Sequence, residues 1–120
     1  MEPVYRHIGV ERRGGVFCVR LKRPHYDETE LHEMGDELEG LVADEGCRRM
    51  VLALGDDTLE CVYSMFLAKL IMVRRVLLEH EGRMVLCEVG PVTRGILDAC
   101  KLLGYFEIEP DVGTAAAALR

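Results

Sequence analysis

The stretch Glu81-Gly82-Arg83-Met84-Val85-Leu86-Cys87-Glu88-Val89-Gly90-Pro91-Val92 holds a short apolar run between two helix punctuation marks. Met84 to Cys87 has strand length and no polar alternation, the pattern of a strand buried on both faces in a parallel sheet. Gly82 closes a helical pattern on one side. Gly90-Pro91 opens another helix on the other, with Pro in its first turn.

Working outward, the same arrangement recurs upstream. Met50-Val51-Leu52-Ala53-Leu54 is a second buried strand. The helix between the two strands places Leu67, Leu70, Ile71 and Leu77 or Leu78 on one side. Downstream, Val92, Ile96, Cys100 and Leu103 form an apolar stripe that ends at Gly104. Tyr105 to Ile108 reads as a short last strand, and Gly113-Thr114 opens a final Ala-rich helix. At the front, Val4 to Arg12 alternates loosely into Arg13-Gly14-Gly15, a hairpin signal, and Val16 to Leu21 is the return strand. Asp27 with Glu30 forms a capping box ahead of Leu31, Met34, Leu38, Leu41 and Val42 at helical spacing. Gly46 ends that helix, and Gly35 and Gly40 weaken its regularity. The order is β-β-α-β-α-β-α-β-α. It predicts an α/β domain over residues 1–120, with a mixed four- to five-stranded sheet, parallel crossovers and about four helices.

Composition narrows the function. The net charge of −6 disfavours nucleic acid as a partner. Asp27 to Glu45 carries nine carboxylates and no Lys or Arg. That run reads as a solvated helix face or as a surface that selects partners by charge. The five cysteines are odd in number and include no C-x-x-C pair, which speaks against a disulfide framework or a metal site. No apolar run spans a bilayer and no signal peptide is evident, so a cytoplasmic setting is expected. Glycine-rich phosphate loops are missing, and no cofactor is expected.

These segments, taken in order from Val4 to Leu119, resemble a STAS domain, the fold of anti-sigma factor antagonists and of the cytoplasmic tails of sulfate transporters. Glu81 to Val92 is similar to the family's fourth strand and following turn, and Leu102 to Ile108 to its closing segment. The resemblance places Ser64, the only serine in the chain, on the family's phosphorylatable serine. It implies a partner kinase that is itself an anti-sigma factor: the unmodified antagonist binds the kinase and releases the sigma factor. The motif departs from the family pattern. Tyr63 stands where an Asp is usual, and Met65-Phe66-Leu67 follows where Ser or Thr, Gly and an apolar residue are usual.

Read from the residues alone, Ser64 is either the N-cap of the long helix or a modification site at its positive end. Met65 and Phe66, rimmed by Lys69, form either a docking surface or part of a wide buried helix face. Tyr63 is an interface aromatic or a packed loop residue, and Asp57 and Thr58 complete the candidate partner-binding set. Three functional readings follow: a phosphorylation-switched antagonist, a STAS module that only docks, and a small thiol- or histidine-dependent enzyme or sensor using Cys61. A second copy of the chain is a further candidate partner.

Overall fold

The computed structural model describes residues 4–55 and 59–120. Asp57 and Thr58 lie outside the described residues. Five strands and four helices are found among those described, in the expected order. The sheet runs β1 (Ile8–Arg13), β2 (Val16–Leu21), β3 (Arg49–Ala53), β4 (Arg83–Cys87), β5 (Glu107–Glu109) in sequence order. β1 and β2 are antiparallel and the remaining pairs are parallel. The hairpin turns through Gly14 and Gly15 at φ +54° and +85°, values that only glycine adopts without cost.

Strand alternation divides the core in two. Phe17, Val19, Met50, Leu52, Met84 and Leu86 face α1 (Glu28–Asp44) and α2 (Tyr63–Glu79). Val16, Cys18, Val51, Ala53, Val85 and Cys87 face the other way, under α4 (Val112–Ala118). The small Ala115 and Ala116 let α4 lie close to the sheet. This two-sided burial is why β3 and β4 are continuously apolar.

The capping box is present: the Asp27 carboxylate accepts from the Glu30 N–H at 2.8 Å, and Glu30 accepts from the Asp27 N–H at 2.9 Å. Gly35 does not disturb α1. A Cβ there would come within 2.8 Å of the Lys69 Cδ, so the glycine admits the Lys69 stem at the α1–α2 seam. The acidic run around α1 is solvated, with none of its carboxylates buried, and part of it makes bonds within the molecule. Glu30 pairs with Arg23, Glu33 with Arg6 and His7, and Glu45 with Arg12, while Glu37 accepts from the Arg6 and His7 N–H groups.

Several expectations are corrected. Gly82 was expected to stop α2, but the helix ends earlier, at Glu79, and Glu81 turns the chain at φ 60°. Gly82 is needed because a Cβ would lie 2.5 Å from the Arg48 carbonyl oxygen. The apolar stripe on α3 (Pro91–Ala99) is rotated by one residue: Thr93 and Leu97 are buried, whereas Val92 is 57% exposed and Cys100 is exposed. The last helix is capped by Asp111, whose carboxylate accepts from the Thr114 N–H at 2.7 Å, and does not start at Gly113.

Candidate functional site

The start of α2 is fixed from two sides before any functional group is considered. Glu60 forms a short parallel bridge with His25, its N–H donating to the Pro24 carbonyl and its own carbonyl accepting from the Tyr26 N–H at 2.9 Å. The Tyr63 hydroxyl donates to the Leu59 carbonyl at 2.9 Å and lies 2.8 Å from the Thr93 hydroxyl. A phenol has one proton, so Thr93 donates the second bond. Thr93 is buried in the first turn of α3, and the Tyr63 ring meets Phe66 edge-on. The candidate docking aromatic Tyr63 thus spends its hydroxyl and part of its ring on joining α2 to α3.

Ser64 is not the N-cap. Val62 occupies that position with extended backbone, and α2 begins at Tyr63. Ser64 therefore sits in the first turn, with an exposed side chain. Among the described residues no side chain caps this helix start, and the first turn itself has no carboxylate. The leading N–H groups of a helix have no intrahelical acceptor, so the uncapped end attracts negative charge.

Phe66 is corrected from docking surface to core: it is fully buried. The reason is angular. Two residues advance a helix by about 200°, so the exposure of Ser64 sends Phe66 inward. The buried face is Phe66, Leu67, Leu70, Val73 and Leu77. Ile71 is only half-buried, and Leu78 is 49% exposed. On the outside stand Val62, Ser64, Ala68 and Met72, with Met65 and Lys69 half-buried beside them. Met72 is 48% exposed, so an apolar surface does adjoin Ser64, built from Met65 and Met72 without Phe66. From Tyr63 to Leu78 the helix has no acidic residue, and Lys69, Arg74 and Arg75 are its charges.

The thiol and histidine readings find little chemistry. Burial pushes the half-buried Cys61 thiol up to about 11, away from thiolate chemistry near neutrality. Cys100, not Cys61, is the exposed cysteine. His7 is buried between two charged partners. Arg23 Nη2 lies 2.6 Å from its Nδ1, and Glu33 Oε1 lies 2.9 Å from its Nε2. An arginine only donates, so Nδ1 accepts and Nε2 carries the proton to Glu33. The ring ties β1 to α1 and is not poised as a free base. Among the described residues no group of three or more His, Cys, Asp or Glu could hold a metal ion.

Over 88 residues the chain is 33% identical to a Bordetella bronchiseptica protein provisionally named the anti-sigma factor antagonist BtrV, covering 71% of this chain and 74% of that one. The chain belongs to the anti-sigma factor antagonist family. Two solved structures share the fold of this family member. The anti-sigma-factor antagonist (STAS) domain protein of Planctomyces limnophilus has a TM-score of 0.80 at 18% identity, covering 93% of this chain and 97% of its own. Bacillus SpoIIAA in its phosphorylated form has a TM-score of 0.67 at 15% identity, covering 94% and 99%. No family model matches the chain.

Sequence reasoning missed the residues that hold the start of α2 in place. Thr93 gave one signal, a hydroxyl in the turn after Gly90-Pro91, but its partner Tyr63 lies 30 positions away. Glu60 and His25 meet only through tertiary pairing.

Proposed function

We propose that this chain is a regulator of the anti-sigma factor antagonist type, which binds a protein partner through the outer face of α2 and is switched by phosphorylation of Ser64. The partner is an anti-sigma factor with serine kinase activity, and the setting is the cytoplasm. Among the described residues no helix is long and apolar enough to cross a membrane.

The observation that carries this reading is the placement of Ser64. Its side chain is exposed in a first helical turn that has no carboxylate and, among the described residues, no side-chain cap, next to the half-exposed Met65 and Met72. A phosphate there adds about −1.5 to −2 charge. The helix dipole would favour it by about 0.3–1 kcal/mol. The flanking pins at Glu60 and Tyr63 make local refolding a costly response. The switch then acts at the surface, by adding charge and bulk to the docking face.

A second reading has its own support. Tyr63 and Phe66, which replace the family's Asp and Gly, are built into the fold, consistent with a module that docks without being modified. Incubation with a cognate anti-sigma kinase, followed by intact-mass measurement, separates the two. The switch predicts a gain of roughly 80 Da that Ser64→Ala abolishes. It also predicts that Ser64→Asp weakens kinase binding at least tenfold with the fold intact. Tight binding with no mass gain, and equal affinity for Ser64→Asp, would leave the docking module as the function.

A further inference from the structure

The opposite end of the sheet carries a feature that the Ser64 site does not use. β3 and β4 begin with the same four residues, Arg-Met-Val-Leu, and the register sets Arg49 directly beside Arg83. Neighbouring strands lie about 4.8 Å apart, so two like charges are held side by side. Arg48 precedes them, and Arg120 follows α4. Together with Leu119 and Glu81 these four arginines line a cavity of about 360 Å³. Four guanidiniums and the Glu81 carboxylate line it, with Glu107 paired to Arg83 beside it, in a chain whose net charge is −6.

Two of the four are held in place by the fold. Arg48 Nη1 donates to the Val42 and Cys47 carbonyls at 3.0 and 2.9 Å. Arg83 pairs with Glu107 and donates to the Ala118 carbonyl at 3.2 Å. Those bonds serve the last carbonyls of α1 and α4, an ordinary use of arginine at helix C-termini. They do not account for Arg49 and Arg120. Among the described residues the guanidiniums of these two have no hydrogen-bond or ion-pair partner. Arg48 also keeps Nε and Nη2 unspent among the described residues.

We infer that this cavity is a binding site for a small oxyanion of the phosphate class, separate from the Ser64 face. Planar guanidinium forks match the oxygens of phosphate in paired hydrogen bonds. The two anchored arginines are preorganised, so binding need only order Arg49 and Arg120. The lining contains no aromatic ring on which a nucleobase could stack. The ligand is therefore a phosphate-bearing group without a base, presented on a soluble molecule or on a lipid headgroup.

The test is titration of the full chain with inorganic pyrophosphate at low salt, followed by backbone amide NMR shifts. Saturable shifts are expected at Arg49, Arg83, Leu119 and Arg120, with Ser64 and Met72 unmoved. Arg49→Gln with Arg120→Gln removes no internal bond, and should weaken binding about tenfold or more. Arg75→Gln, on the far face of α2, should change nothing. Sedimentation with phosphatidylserine vesicles decides the source: uptake lost in the double variant assigns a headgroup, and no uptake assigns a soluble ligand. The absence of saturable shifts together with no vesicle uptake overturns the site. So does equal weakening by Arg75→Gln, or an undiminished affinity in the double variant.

Discussion

Replacing Gly82 by alanine tests the closest approach in the fold. The added methyl would sit 2.5 Å from the Arg48 carbonyl oxygen, and 3.1 Å from both the Leu77 carbonyl oxygen and Leu77 Cδ2. Comfortable carbon–oxygen contacts begin near about 3.3 Å, so the start of β3 or the end of α2 must move. Movement is expensive here because the Arg48 carbonyl also accepts from the Arg83 N–H at 2.8 Å, where β3 and β4 first join. Crowding costs about 1–3 kcal/mol. A weakened ladder bond adds about 0.5–1.5 kcal/mol. Against this, alanine restricts the unfolded chain and returns about 0.4–1 kcal/mol. The loss wins, and a net 1–3 kcal/mol lowers Tm by roughly 4–12 °C in a chain of this size. Gly95 supplies the opposite case. It is exposed within α3 and a Cβ there meets nothing within 4 Å, so Gly95→Ala should stabilise by about 0.5–1 kcal/mol. Thermal and urea unfolding followed by circular dichroism measure both. If Gly82→Ala proves as stable as the parent chain, the steric argument at Arg48 is wrong.

Two further outcomes follow from side-chain bonds. Tyr63→Phe removes the hydroxyl shared by Leu59 and Thr93, and should cost about 0.5–1.5 kcal/mol in urea unfolding while leaving Ser64 exposed to modification. The hydrogen bonds from Arg20 hold the Glu88 carboxyl below the usual carboxylate range. A lowered carboxyl stabilises above its unfolded value, and that contribution fades as pH falls through the folded value. Arg20→Gln should therefore be less stable than the parent at neutral pH by about 1 kcal/mol or less, with the gap closing as the solution is acidified below pH about 4.

The fold was legible because its strongest signals are local. Two apolar strands, a capping box, a Gly-Gly hairpin and a Pro-opened helix each carry their own physics, and all five strands and four helices appear in the expected order. The start of α2 was legible in place but not in helix phase. Ser64 lies where it was expected, at the head of α2, yet the helix starts one residue before it and not at it. That small offset rotates Phe66 into the core and transfers the exposed apolar surface to Met65 and Met72. Helix phase cannot be read from a segment apolar nearly all round, which α2 is from Met65 to Val73 apart from Lys69. The acidic run of α1 is the solvated face that was expected, but its internal ion pairs were not legible. Its partners, Arg6, His7, Arg12 and Arg23, lie outside the helix, and only the tertiary fold brings them to it.

The Glu37 carboxylate on α1 bears on how this molecule meets its own kind. β1 is an outer strand of the sheet, the sort of edge along which chains add to one another and aggregate. Glu37 already occupies the amides of Arg6 and His7 at the approach to that strand, and Glu11, Arg12 and Arg13 crowd its far end with charge. What remains between them is a short run around Gly9 and Val10. A single carboxylate reaching across from the helix thus shortens the stretch on which an errant β-ribbon could template.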